Sequence, residues 1–219
     1  MKTALIFGSS GLIGSQLLEL IINSNKYSNI KLFVRTELSN SNSKVEIIKT
    51  DFNNLEQYKD KIKGDDCFFC IGTTKKDTPE KEEYRRVEYN IPVDVAKIAK
   101  ANSVNSFFYI SSIGANPNAS SNYLKNKGEV EEELKNLNFT KLAIIRPSLL
   151  VGNRKSFRLG EVIFTPIMYM LTIFAFGSLK KYKPIKIKNV VKAIIYISKN
   201  ASKEIIFESD ELDRIAKSN

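Results

Sequence analysis

Apolar runs recur along the chain, and helical patterns lie between several of them. Runs that read as buried strands occupy 3–7 (TALIF), 30–34 (IKLFV), 45–48 (VEII), 66–71 (DCFFCI), 106–111 (SFFYIS) and 141–146 (KLAIIR). Helical patterns fall at 12–23, 54–63, 82–101 and 122–137. Nearly all-apolar strands alternating with helices predict a parallel sheet covered on both faces, the doubly wound α/β plan. A polar loop is expected at 38–44 and a loosely held terminal helix over 208–219. No internal repeat and no Pro/Gly/Ser-rich linker divides the chain.

One stretch departs from that plan. From Val162 to Leu179 no residue is charged, which is the length at which a membrane span becomes a candidate. Thr165, Pro166, Tyr169 and Thr172 interrupt it, and Gly177-Ser178 close it. The first reading is therefore a buried or pocket-lining helix. An interfacial helix ranks next, supported by Arg154, Lys155 and Arg158 before it and Lys180, Lys181 and Lys183 after it. A true span ranks last.

Composition narrows the chemistry. With 219 residues the chain is long enough for one sizeable core and short for two independent domains. Hydrophobic content of 42% with 26% charged residues is ordinary for a soluble globular protein. The net charge of +10 is spread along the whole chain, without a recognition-helix or RNA-binding motif. Anionic substrates or lipid headgroups explain it as well, so no nucleic-acid partner is expected. Histidine is absent, which removes Ser-His-Asp hydrolysis, Cys-His proteolysis and zinc-histidine sites together. Proton chemistry must then run on Tyr, Lys, Asp, Glu or Cys. The two cysteines and the lack of an opening signal segment fit a reducing cytoplasm, the expected location. Cys67 and Cys70 sit three apart in a predicted strand, so their side chains should enter opposite faces as core packing.

The stretch FGSSGLIGSQLL at 7–18 carries the first functional signal. Gly8 would make a tight turn, Gly11 would admit a diphosphate, and Gly14 would let the helix pack on the strand. The helix N-terminus supplies unpaired N–H groups and a positive dipole end. The spacing is G-x-x-G-x-x-G, so the strand before it and the periodic helix after it carry the argument. At the end of the second strand, where an acid would hold an adenosine ribose, stands Arg35. A guanidinium there favours a 2'-phosphate, hence NADP over NAD, unless Arg35 is simply a solvated surface residue.

Tyr123 and Lys127 share one helical face near the start of a predicted helix, after a strand that ends in Ser111-Ser112. Tyr27 with Lys31 and Tyr182 with Lys186 repeat the spacing but lack that context.

The glycine motif, DF at 51–52, GTT at 72–74, YISS at 109–112, YLKNKGEVE at 123–131 and RPSLLVGNR at 146–154 together resemble an atypical short-chain dehydrogenase/reductase. The nearest subgroup is the Tat-interacting-protein-like oxidoreductases, small NADP-binding members with a reduced substrate lobe. The resemblance runs over about 1–200. It implies a single NAD(P)-binding Rossmann domain over 1–219, with a small substrate lobe near 152–185.

It also implies roles for individual residues. Tyr123 would donate or accept the proton, Lys127 would hold the nicotinamide ribose and lower the tyrosine pKa, and Ser112, ahead of Ser111, would orient the substrate carbonyl. Cofactor contacts are expected from Gly8, Ser10, Gly11, Leu12, Ile13 and Gly14, from Arg35, and from Asp51 and Phe52 on the adenine side. Gly72, Thr73 and Thr74 would line the cofactor's middle, and Pro147, Ser148 and Leu149 the nicotinamide side. Arg154 would meet a phosphate or the substrate, and Asn90 would match the family's structural or proton-relay asparagine. Asn189 stands where the family usually has Asp.

The expectation is an NADP-dependent oxidoreductase acting on a small carbonyl or alcohol, without a metal. An NADP-binding redox sensor and a sugar-nucleotide epimerase or dehydratase are the alternatives. Peripheral membrane contact through 162–179 stays open, as do the substrate, the direction and the oligomeric state.

Overall fold

The strands alternate their side chains between two cores, and that alternation builds the molecule. The computed structural model describes residues 1–36, 38, 40–152 and 177–218. The strands in chain order are β1 (Lys2–Phe7), β2 (Tyr27–Val34), β3 (Val45–Lys49), β4 (Asp66–Phe69), β5 (Ser106–Ile110), β6 (Lys141–Arg146), β7 (Leu150–Val151), β8 (Ile185–Lys186) and β9 (Ile206–Glu208). Seven of them form one sheet in the order β3-β2-β1-β4-β5-β6-β9, with every neighbouring pair parallel. β7 and β8 pair separately, also in parallel. This is the expected doubly wound, Rossmann-like α/β fold.

Ala4, Ile6, Leu32, Phe68, Phe108 and Ala143 face one core. Leu5, Phe7, Phe33, Cys67, Phe69, Phe107 and Ile144 face the other. Strands buried on both sides cannot alternate polar with apolar, which is why the runs read as continuously hydrophobic. The helices α1 (Leu12–Ile22), α5 (Ile187–Lys199) and α6 (Ser209–Ser218) cover the first face. The helices α3 (Ile91–Ala101) and α4 (Asn122–Asn136) cover the second. β1 lies between β2 and β4, so the chain leaves it toward one edge and later returns on its other side. At such a switch point the loops after the strands part and leave a cleft.

Several expectations change. The helix expected over 54–63 is a single 3-10 turn, Leu55–Tyr58. Leu55 and Ile62 suffice to plug the second core, and further helical turns do not form. The helix expected over 82–101 is three pieces: α2 (Lys81–Arg85), a π turn at Arg86–Asn90, and α3. Pro92 has no N–H to bond back into the preceding turn, and the Ile91 N–H reaches Arg86 O instead. The terminal segment is not loosely held. β9 closes the sheet edge against β6, and α6 buries Leu212, Ile215 and Ala216 at helical spacing. The helix α5 was not foreseen, although its apolar positions recur at 187, 190, 191, 194 and 197. Arg154 and positions 162–176 lie outside the described residues. Among the described residues no helix is long and apolar enough to cross a membrane.

Candidate cofactor and catalytic site

The switch-point cleft encloses about 760 Å³ and begins at the glycine turn. Gly8 leaves β1 with φ +85, and a Cβ there would lie 2.8 Å from the Cys70 carbonyl carbon. A Cβ on Gly14 would lie 2.2 Å from Gly8 O, so α1 rests directly on the turn. The Gly11 N–H donates to Gly8 O at 3.0 Å. Gly11 is also the N-cap of α1, with no side-chain cap and no acidic residue in the first turn. The positive end of α1 therefore meets the cleft without a carboxylate in its own first turn to balance it. Gly8, Ser9, Ser10, Gly11 and Leu12 line the wall, and the buried Ser9 hydroxyl has no hydrogen-bond partner. A backbone cradle, a free helix end and an orphaned hydroxyl fit a phosphate-bearing cofactor. Ile13 turns away into the core.

Farther along, Arg35 and Thr36 stand exposed at the end of β2 and line the same cleft. Phe52 holds a positive φ of 62 while buried against Phe7. Its N–H donates to Thr50 Oγ1 at 3.2 Å, and Asn53 N–H donates to Asp51 Oδ1 at 2.9 Å, which fixes the turn that presents Asp51. Arg86 donates to Phe52 O at 3.0 Å and grips Glu83 with two further bonds of 2.6 and 2.7 Å. Both guanidiniums, Arg35 and Arg86, line this end of the cleft.

In the middle, Gly72 and Thr73 line the wall. Thr73 Oγ1 and Thr78 Oγ1 are 2.7 Å apart, and Thr74 donates to Asp77 Oδ2 at 3.1 Å. The Thr73 N–H donates to Glu88 Oε1 at 2.5 Å. Glu88 is 1% exposed, and its Oε2 lies 3.1 Å from Lys127 Nζ, as an ion pair without hydrogen-bond alignment. Lys127 also donates to Ile110 O at 3.1 Å. Burial opposes the ammonium's charge, but Glu88 and the neighbouring tyrosines hold its pKa well above the usual range.

Tyr123 stands half-buried one turn before Lys127, whose Nζ is 5.9 Å from its ring centre. Burial raises the Tyr123 pKa, Lys127 pulls it down, Glu88 raises it further, and a hydrogen bond with Ser112 lowers it; the net shift is upward. Lys127 acts in the direction the resemblance implies, but burial outweighs it, and Glu88, with which the lysine is paired, adds to the rise. Ser111 does not share the site. Its hydroxyl donates to Glu131 Oε1 at 2.5 Å, and Glu131 pairs with Arg146.

Other expected residues lie elsewhere. Pro147 O accepts from Ile113 N–H at 3.1 Å and Leu149 O from Ile185 N–H at 2.9 Å. The Ser148 hydroxyl contacts Lys183 O and lies 2.8 Å from the Ser209 hydroxyl. Ser148 and Leu149 are tied to the C-terminal elements and Pro147 to the segment after β5, and none of the three lines the cleft. Asn90 is exposed, and Glu88, two residues earlier, occupies the buried position beside Lys127. An acid set next to Val87 on an otherwise apolar helical face, ahead of Pro92, was the available signal for it. Cys67 and Cys70 divide between the two cores as their spacing predicted. Burial pushes the Cys70 thiol up to about 12, so neither cysteine offers a reactive thiolate.

A family model described as NAD(P)H-binding matches residues 8–161. The chain belongs to that NAD(P)H-binding family. Protein FMP52, mitochondrial, of Debaryomyces hansenii is 34% identical over 165 residues, covering 74% of this chain and 73% of its own. Protein HTATIP2 of Rattus norvegicus is 34% identical over 166 residues, covering 73% and 67%. Among solved structures, MoeE5 in complex with UDP-glucuronic acid and NAD superposes with a TM-score of 0.71 at 16% identity, covering 93% of this chain and 74% of that one. That likeness speaks for the fold. As the motifs implied, this NAD(P)H-binding protein is of the atypical short-chain dehydrogenase/reductase type. The cytoplasmic expectation is corrected, because the Debaryomyces relative is named a mitochondrial protein.

Proposed function

We propose that this protein is an NADP-dependent oxidoreductase that interconverts a carbonyl and an alcohol, with Tyr123 as the proton donor and acceptor. The observation that carries the reading is the convergence of Ser112, Tyr123 and Lys127 next to a cleft that opens on the uncapped end of α1. The reduced nicotinamide, when bound, supplies the hydride. Ser112 then orients the carbonyl oxygen, and Tyr123 Oη gives it a proton. Lys127 anchors the base of this arrangement through Ile110 O and Glu88. NADP is preferred to NAD because Arg35 ends β2, with Arg86 also lining that end of the cleft, and a 2'-phosphate suits guanidinium groups there. A mitochondrial setting follows the naming of the Debaryomyces relative.

Titration of the purified protein with NADPH and NADH, followed by a carbonyl panel, tests the reading. NADPH is expected to bind at least about tenfold more tightly than NADH, with the preference lost in Arg35→Ala. Tyr123→Phe should keep NADPH binding and lose about 10²- to 10⁴-fold in turnover. Absence of NADPH binding sinks the proposal. Binding without turnover across the panel favours the redox sensor.

A further inference from the structure

Lys127 is the only described cation placed against the Tyr123 ring, yet its Nζ is drawn toward Glu88 at 3.1 Å. Glu88 sits on the π turn that Pro92 imposes, which rotates this one carboxylate into the space between Thr73 and Lys127. A carboxyl group so deeply buried beside a catalytic lysine is costly unless it is paired, and here both of its oxygens are engaged.

We propose that Glu88 is a positioning residue that draws the Lys127 ammonium off Tyr123 and so keeps Tyr123 a proton donor through neutral and mildly alkaline pH. The inference rests on the oxidoreductase reading and adds the range over which that reaction runs. The step it governs is balanced. The carbonyl π bond opens as its carbon takes the hydride of NADPH and its oxygen takes the Tyr123 proton. The cofactor leaves as NADP⁺, and the phenolate is reprotonated from water. Groups acting on Tyr123 are Lys127 from α4, Glu88 from the π turn, and Tyr109 and Ser112 at the end of β5. Arg85 on α2 is engaged elsewhere, donating to Asn126 and Glu129. With Glu88 neutral, the Lys127 charge would be free to stabilise the phenolate.

Tyrosinate absorbance, titrated without cofactor, reads this directly. The Tyr123 signal is the difference between each protein and its Tyr123→Phe counterpart. In Glu88→Gln its midpoint should move to lower pH by about one unit, the scale of an opposite charge at close range. The alkaline limb of kcat/KM for carbonyl reduction should move with it, while NADPH Kd stays within about threefold. Adding Lys127→Met to Glu88→Gln should reverse the midpoint shift, which a purely structural role for Glu88 would not produce. If Glu88→Gln does not fold, Glu88→Asp, which keeps the charge but retracts it, should give a smaller shift in the same direction. An unmoved or raised midpoint in a folded variant that binds NADPH overturns the role of Glu88 and leaves the oxidoreductase reading standing. Loss of NADPH binding in the wild type overturns that reading instead.

Discussion

Among the described residues, two buried carboxylates meet lysines, at opposite ends of the sheet. Glu88 pairs with Lys127 beside the cleft. Asp66, at the start of β4 and fully buried, pairs with Lys26 at 2.7 Å and accepts from Tyr27 Oη at 2.8 Å. Each site is thus an acid, a lysine and a tyrosine. At the Asp66 end the tyrosine and the lysine are both tied to the protein: Tyr27 donates to the acid, and Lys26 also donates to Ser198 O at 2.6 Å, joining the sheet to α5. At the Glu88 end the tyrosine next to the lysine, Tyr123, is only half-buried. The same three residue types are structural where their hydrogen bonds close on the protein, and chemical where one member stays open.

Removing Asp66 should have the largest effect on stability. Asp66→Ala leaves Lys26 with no carboxylate in a largely buried position, and a loss of about 3–5 kcal/mol is expected in urea unfolding. NADPH affinity of the folded fraction should not change, since the cleft lies at the other end of the strands. The pH dependence has a definite sign. Burial alone would raise the Asp66 pKa, but hydrogen bonds from Lys26 and Ser106, the Lys26 charge and Tyr27 hold it below the usual value. Its contribution is therefore complete above about pH 4 and is lost as pH falls through the depressed folded value. The stability gap between wild type and Asp66→Ala should shrink in acid.

Gly14→Ala probes the cleft end. The added carbon would meet Gly8 O at 2.2 Å, so α1 must move off the turn. NADPH affinity should fall about 100-fold, or about 2.7 kcal/mol, by isothermal titration. If Asp66→Ala weakened NADPH as much as Gly14→Ala, the division between a structural and a chemical end would fail.

The contrast also explains what was readable in advance. Continuous apolar strands announced a parallel sheet, and the G-x-x-G-x-x-G turn sits where its context placed it. Side-chain pairing across elements was not readable. Nothing local in the sequence joins Glu88 to Lys127, 39 positions on, because a π turn sets the facing direction. Asn90 was expected from the family resemblance; on the π turn it is exposed, and Glu88 is the buried residue instead. Ser111 and Ser112 were adjacent candidates just past the end of β5, and Ser111 is the one that bonds to Glu131. Ser148 was expected beside the cofactor, but Lys183 O, ahead of β8, and the Ser209 hydroxyl, at the start of α6, claim its hydroxyl.

A third pair near the surface calibrates the other two. Asn189 Nδ2 donates to Asp213 Oδ1 at 2.7 Å, and Lys217 pairs with the other oxygen. Burial pushes the Asp213 carboxyl up, but the hydrogen bonds from Lys217 and Asn189 hold it below its usual value overall. Asn189→Asp restores the acid that the family resemblance expects, and it sets two carboxylates side by side. Water and Lys217 screen them, so the cost at pH 7 should be only about 0.5 kcal/mol. In acid, where one carboxyl takes a proton, that cost should vanish in urea unfolding curves. A cost as large as that of Asp66→Ala would mean that burial is not what makes the two interior pairs matter. A small cost assigns their weight to the depth of desolvation, which is complete at the Asp66 and Glu88 carboxylates and only partial at Asp213.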